Sequence, residues 1–397
     1  MQKYNSLVQK ILSLEFSEKE LNNLLNEKEN SGNFTIKDAH LQYVLNESLL
    51  RNNKNVAILI KKNLKKRNLY YTQIRKMFYS LKTPGDFSIL IGMNSEEHIS
   101  IIKEIVSKSQ YSVFYLPKKS GGFRTIKAPD DNLKLLQTRL NFILNLVFEP
   151  SPNAHGFIFN KNIITNSELH VKQNYILNID IKDFFPSIKK ERISKLFRSK
   201  PYNLSENFVE LIADICCFQN SLPQGAPTSP TLTNMICIKL DEKMKDLSSK
   251  YICNYSRYAD DITFSGMDKA VPDNLLSEIE NIISSEGFVI NKKKVRINKH
   301  SQRQEVTGLI VNEKVNINRK YIRNIRAILH SWKTKGIKEA ASLYGFKYSR
   351  FRMIGIPDFR TSLKGKIEFI GMVRGKDDYI YNKYNSEYLE LKEIQND

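Results

Sequence analysis

A chain of 397 residues, 41% of them hydrophobic, is long enough for two or three domains and a sizeable core. The net charge of +20, from 62 lysines and arginines against 42 acids, points to a polyanionic partner, which for a soluble chain means nucleic acid. No apolar run approaches the ~20 residues of a membrane span, no basic amphipathic anchor stands out, and residues 1–14 lack a basic-then-apolar signal layout, so a cytoplasmic protein with no membrane partner is expected.

Cys216, Cys217, Cys237 and Cys253 lie in apolar stretches without C-x-x-C spacing, which reads as packed thiols rather than zinc or disulfide chemistry. Residues 1–85 are polar and helical in pattern, with a capping box from Ser17 to Glu20. The run Lys61-Lys62-Asn63-Leu64-Lys65-Lys66-Arg67, followed by Tyr70 and Tyr71, is either a nucleic-acid surface or a solvated helix face. Pro84-Gly85 is a candidate boundary. A second cap signal at residues 94–97 precedes a short helix carrying Ile99, Ile101, Ile102 and Ile105.

Residues 111–116 read as extended, and a Ser-Gly-Gly turn at 120–122 makes a hairpin that separates Lys118 from Arg124, both able to aim at a triphosphate. Residues 133–148 form an amphipathic helix stopped by Pro150 and Pro152. His155 follows in a loop, as a hydrogen-bonded histidine in preference to a catalytic base. Residues 175–181 are a strand with few charges, hence central and buried, with Asp180 near its end. Helical pattern fills most of 189–220. The turn Leu222-Pro223-Gln224-Gly225-Ala226-Pro227 opens a long helix with Ile236, Leu240, Met244 and Leu247 on one face.

The chemistry concentrates at Tyr258-Ala259-Asp260-Asp261, a tight turn between strand-like runs at 251–255 and 262–265. Adjacent carboxylates repel unless a cation lies between them. Mg2+ answers that need, taking oxygen ligands from one or two carboxylates and the rest of its shell from water and phosphates. Asp180 is the candidate third carboxylate. Beyond the turn, a helix at 272–286 ends at Gly287, and strand-like runs at 306–311 and 315–317 are joined by a polar turn at 312–314. From Arg319 onward the pattern is helical and basic, suited to gripping RNA by its phosphates.

The ordered set of basic hairpin, Asp180, Pro-Gln-Gly turn, Asp260-Asp261 and a late Gly287-x-x-x-Asn291-x-x-Lys294 resembles the reverse transcriptases over residues 85–330. Within them it is most similar to the bacterial retron-type enzymes, through Val306-Thr307-Gly308 and through Asn166-Ser167-Glu168-Leu169-His170, where serine stands in place of the usual alanine. The resemblance implies an α+β, right-hand polymerase fold with an antiparallel palm sheet. It divides the chain into a helical N-terminal extension at 1–85, fingers and palm at 86–315, and a helical, RNA-binding thumb at 316–397.

The resemblance also implies roles. Asp180, Asp260 and Asp261, with the carbonyl of Ile181, would hold two Mg2+ ions for nucleotidyl transfer. Phe185 would be a steric gate against ribonucleotides. Lys118, Arg124, Gln224 and Lys294 would meet the nucleotide, Lys294 either protonating pyrophosphate or contacting RNA. Nucleic acid would meet Tyr258, Asn166, His170, Val306, Thr307, Gly308, Arg319, Arg323 and Arg326. The implied partners are a structured noncoding RNA serving as template and 2′-OH primer, its branched DNA product, dNTPs, and an effector protein in anti-phage defence. Two other readings stay open: a group II intron-like or abortive-infection reverse transcriptase, and a palm-fold RNA-binding scaffold without catalysis.

Overall fold

The computed structural model describes residues 71–81, 83, 86–87, 90–91, 98–108, 110–118, 121–349 and 359–394. The expectations placed on Ser17, on the basic run at 61–67, on Pro84-Gly85 and on the cap at 94–97 lie outside these residues. After a helical stretch at 71–79 come α1 (His98–Lys108), β1 (Tyr111–Pro117), β2 (Phe123–Pro129) and α2 (Asp131–Val147). Next are α3 (Ile163–Glu168), β3 (Tyr175–Asp180), α4 (Phe184–Ser187), α5 (Lys190–Arg198) and α6 (Glu206–Cys216). The middle of the chain adds α7 (Ser229–Ile236), α8 (Ile238–Lys250), β4 (Asn254–Tyr258), β5 (Asp261–Gly266) and α9 (Leu275–Ser285). A 3-10 turn (Lys292–Lys294), β6 (Arg296–Lys299), β7 (Glu305–Val306) and β8 (Leu309–Ile310) lead to four helices: α10 (Arg319–Lys335), α11 (Ile337–Ser349), α12 (Phe359–Arg374) and α13 (Tyr379–Glu393).

The described residues form two compact units, one drawn from the ranges Met1–Val113, Ile126–Glu149 and Ile188–Leu232, the other from Phe114–Thr125, Pro150–Ser187 and Thr233–Asp397. In the first, Asp130 caps α2 by accepting from the Leu133 amide, which satisfies one of the donors that a helix start leaves open. The α2 stripe Leu133, Leu136, Leu140, Ile143 and Leu144 is buried, as the helical spacing requires. Gln137 on that stripe donates to the carbonyl of Ile215.

The second unit is built on a four-stranded antiparallel sheet in the order β4-β5-β3-β6. β3 has neighbours on both sides and is buried, Tyr175, Ile176 and Leu177 all at 0% exposure, which is why its sequence is almost continuously apolar. α8 packs on β4 and α9. The last helices make their own core, in which Trp332 meets Phe359 and Tyr388 edge-on at 5.5 and 5.7 Å. No helix among the described residues is long and apolar enough to cross a membrane.

Three local expectations are corrected. The strand expected at 251–255 runs from Asn254 to Tyr258, because Tyr251 still caps α8 and Ile252 turns left-handed with φ 50°. The long helix expected to follow the Pro-Gln-Gly turn is two helices, parted at Cys237, although Ile236, Leu240, Met244 and Leu247 are all buried as their spacing implied. The run 306–311 is not one strand. Thr307 (φ 46°) and Gly308 (φ 85°) turn the chain sharply, so that Val306 pairs with Leu309. The expected turn at 312–314 joins only a single bridge, between Ile310 and Asn316.

Candidate active site

Asp180 is the last residue of β3 and stands directly opposite Asp261, the first of β5. Residues opposite in register point to the same face of a sheet, so the two carboxylates share one side. Asp260 completes the group from the two-residue turn between β4 and β5. That turn needs a left-handed residue, and Ala259 supplies it with φ 57°. The backbone fixes the rest: the Ile181 amide donates to the Asp260 carbonyl at 3.0 Å, and the Asn291 amide to the Asp180 carbonyl at 2.8 Å.

The site is short of positive charge. Burial, then the neighbouring charges of Asp260 and Asp180, push the Asp261 carboxyl up to about 7, although one side of the residue is open to solvent. Asp260 is raised by burial first and Asp180 second. Asp180 has partners: Lys294 Nζ lies 2.6 Å from one carboxylate oxygen, and Asn291 Nδ2 donates to the other at 3.2 Å.

The turn is held from behind by residues that motif spacing does not reveal. Arg257, at 0% exposure, gives Nε and Nη2 to the two oxygens of Asp241, both at 2.7 Å. Its Nη1 donates to Asn234 Oδ1 and to the carbonyl of Ala259 inside the turn, at 3.1 and 3.2 Å. Asn234 Nδ2 in turn donates to the carbonyl of Gly156. The signal available was a charged residue inside an otherwise uncharged strand, next to the carboxylates.

Of the other predicted residues, Phe185 is half-buried on α4, its ring 6.3 Å from Phe157 and 5.7 Å from Phe184. Tyr258 is half-buried and pairs with Asp261 across the hairpin. Lys118 and Arg124 are exposed at the tip of the β1–β2 hairpin, and the charge of Arg124 is felt at Asp260. Gln224 belongs to the other compact unit, where its carbonyl accepts from the Lys127 amide. There Gly225 sits with φ 136°, its Cα so close to the Lys127 carbonyl that a Cβ would fall 2.7 Å from that oxygen. Arg319, Arg323 and Arg326 line the exposed side of α10, opposite the buried Ile325, Leu329 and Trp332. His155 is buried in its loop and hydrogen-bonded through Nδ1 to Thr165 Oγ1 at 2.9 Å.

The family model described as "Reverse transcriptase (RNA-dependent DNA polymerase)" matches residues 116–344. The retron Mx65 reverse transcriptase of Myxococcus xanthus is 32% identical over 295 residues, covering 69% of this chain and 69% of that protein. The chain belongs to the retron reverse transcriptases. The retron Ec86 enzyme of Escherichia coli is 38% identical over 227 residues, 56% of this chain and 69% of that one. The retron Ec73 enzyme of Escherichia coli is 32% identical over 302 residues, 71% and 88% respectively. Among solved structures, a telomerase from Candida albicans with a fragment of telomeric RNA aligns at a TM-score of 0.40 and 10% identity, over 72% of this chain and 64% of that one. This retron reverse transcriptase is therefore an RNA-directed DNA polymerase, α+β in class with the right-hand fold of its family.

Polymerases of this family generally work with divalent metal ions. Oxygen donors with raised carboxyl pKa values suit a hard divalent cation, which would relieve their mutual repulsion. Among the described residues no three acidic, histidine or cysteine side chains are grouped closely enough to hold a metal ion by themselves.

The two elements that mark the retron branch are joined in this reverse transcriptase. Ser167 Oγ donates to the Val306 carbonyl at 3.0 Å, and Thr307 Oγ1 to the Ile163 carbonyl at 3.2 Å. His170 is at 0% exposure, with Nδ1 on Ser265 Oγ and Nε2 on Ser256 Oγ, both at 2.7 Å. It thus ties β4 to β5 beneath the carboxylates. A direct nucleic-acid contact by His170 is corrected accordingly, because its ring has no open face and both nitrogens are used. Asn166 at 1% and Val306 at 0% exposure have no side-chain surface to offer either. The half-buried Thr307 and the exposed Gly308 form the tip of this element.

Proposed function

We propose that this retron reverse transcriptase copies a structured noncoding RNA that serves as both template and primer. Synthesis begins at a 2′-hydroxyl of that RNA and leaves a branched RNA–DNA product. The observation that carries the assignment of chemistry is the opposition of Asp180 and Asp261 across β3 and β5, with Asp260 in the adjoining turn. Asp180, Asp260, Asp261 and the Ile181 carbonyl would hold two Mg2+ ions. When bound, such a pair stabilises the attacking and leaving oxygens of an in-line displacement.

The chain's own residues bind and orient. Lys118 and Arg124 attract the triphosphate, Gln224 meets the nucleotide or template, and Phe185 blocks the sugar 2′ position. Lys294 holds Asp180 by charge until the nucleotide arrives and then faces its phosphates. Residues 86–315 serve as fingers and palm, and residues 316–397 as the thumb, whose arginines 319, 323 and 326 face solvent for RNA phosphates. Tyr258, Thr307 and Gly308 lie along the primer path. We place the enzyme in anti-phage defence beside an effector protein, a reading that rests on the retron membership.

The test is primer extension by the purified protein with its copurified RNA, dNTPs and Mg2+. DNA covalently joined to RNA is expected. Asp260→Asn and Asp261→Asn should each lower the rate by at least about a thousandfold while keeping the wild-type melting profile. Persistent synthesis in either variant would sink the metal assignment, and DNA free of RNA would sink the 2′-priming.

A further inference from the structure

We propose that Phe157 is a specificity-determining residue whose ring backs Phe185 and fixes how closely that gate stands to the nucleotide sugar. The inference rests on Phe185 being the gate, as proposed above. Phe157 has a left-handed backbone, φ 61°, which a bulky side chain adopts only when its surroundings impose it. Core packing is not what imposes it, since Phe157 is 49% exposed. Its ring instead lies 6.3 Å from that of Phe185, tilted by 57°, within the range of a favourable aromatic pair.

Phe185 has a second aromatic neighbour, Phe184, at 5.7 Å. Phe184 is 3% exposed and packs on Phe288 at 5.6 Å, so that side of the gate is anchored in the core. The helix carrying the gate, Phe184–Ser187, is a single turn and cannot by its own hydrogen bonds hold a ring firmly. Phe157 supplies the support from the solvent side.

The position of Phe157 is set by the catalytic turn itself. A Cβ on Gly156 would fall 2.5 Å from the amide nitrogen of Ala259 and 3.0 Å from the carbonyl carbon of Tyr258, so the loop lies directly on the backbone of the turn. The His155 amide donates to the Arg257 carbonyl, and Asn234 links the Gly156 carbonyl to Arg257. The gate is thereby spaced from the hairpin that carries Asp260 and Asp261, and not only from its own short helix.

The test measures kcat/KM for dNTP and rNTP incorporation by the full-length protein with its copurified RNA. Phe185→Ala is the reference, and Phe159→Ala, a neighbouring ring at 67% exposure, is the control. Phe157→Ala should raise relative rNTP use about 2- to 10-fold, the loss of one aromatic pair. Phe157→Leu should raise it less, and Phe159→Ala not at all. The Phe157→Ala/Phe185→Ala double variant should match Phe185→Ala alone, because two residues acting through one contact do not add. Equal loss of dNTP and rNTP incorporation in Phe157→Ala would make it a template or folding residue and overturn the proposal, as would multiplying effects in the double variant. If Phe157→Ala does not fold, Phe157→Leu carries the same comparison. Unchanged discrimination in Phe185→Ala would remove the gate reading first, and this one with it.

Discussion

His170 shows what a single side chain can do from inside the sheet. Its two serine partners lie on β4 and β5, so one imidazole closes the base of the hairpin that presents Asp260 and Asp261. Burial holds its pKa down to about 3, and His155 nearby down to about 4. Unfolded histidines titrate near pH ~6.5. Between these limits the unfolded chain binds more protons than the folded one, so stability rises with pH. The contribution is complete above pH ~6.5 and is lost as pH falls toward the folded values, at up to about 1.4 kcal/mol per unit for each histidine. The raised Asp261 carboxyl acts in the opposite direction below pH ~7, so the histidine contribution is read from urea melts between pH 4.5 and 8 as the difference between the parent and a His170 variant. His170→Gln should be less stable than the parent at pH 8 yet lose less on acidification, and parallel pH profiles for the two proteins would refute the argument. The sequence motif places His170 at the nucleic acid, whereas its ring lies buried between two serines. A motif gives position and type, whereas burial follows from which strands meet, and that is not written in residues 166–170. Arg257 was missed for the same reason: its acceptors Asp241 and Asn234 come from α7 and α8, and only folding brings them together.

At the scale of elements, periodicity was informative wherever one face is buried. The α2 stripe, the central strand β3 and the face of α8 all follow from spacing alone. Breaks were harder to see. The β7–β8 turn uses Thr-Gly in place of the Asn-Gly or Asp-Gly pair that announces a two-residue hairpin, so an apolar run flanking it looks continuous. The turn can be tested directly. A Cβ on Gly308 would meet nothing within 4 Å, so a substitution there reads out backbone preference alone. Gly308→Val should cost about 1–2 kcal/mol, the usual penalty for a branched residue in the left-handed region. Gly308→Asn should cost clearly less, because asparagine tolerates that region. Denaturant melts giving the same stability for both variants would show that the turn is not formed as described.

For the molecule as a whole, the charge was the plainest message. A surplus of +20 favours encounter with a polyanion, and the exposed arginines of α10 give it one place to act. Binding of the copurified RNA should therefore weaken linearly on a log–log plot of affinity against salt. Replacing Arg319, Arg323 and Arg326 by glutamine should reduce that slope by roughly two, from three lost contacts at about 0.7 each. A slope identical to the parent's would remove these arginines from the interface. What charge does not disclose is where the anion runs, since lysines and arginines are spread along the entire chain.

The place of β3 in its sheet has a consequence during synthesis. Both of its partners, β5 and β6, lie downstream, and Asp180 pairs with Asp261. The most apolar strand of this four-stranded sheet thus leaves the ribosome roughly eighty residues before its first partner. At about 5–20 residues per second, it waits on the order of 4–16 s with both edges unpaired. Such a strand is a template for aggregation. Slowing translation between residues 181 and 261 should therefore lower the soluble yield more than slowing it after residue 300, where the sheet can already close.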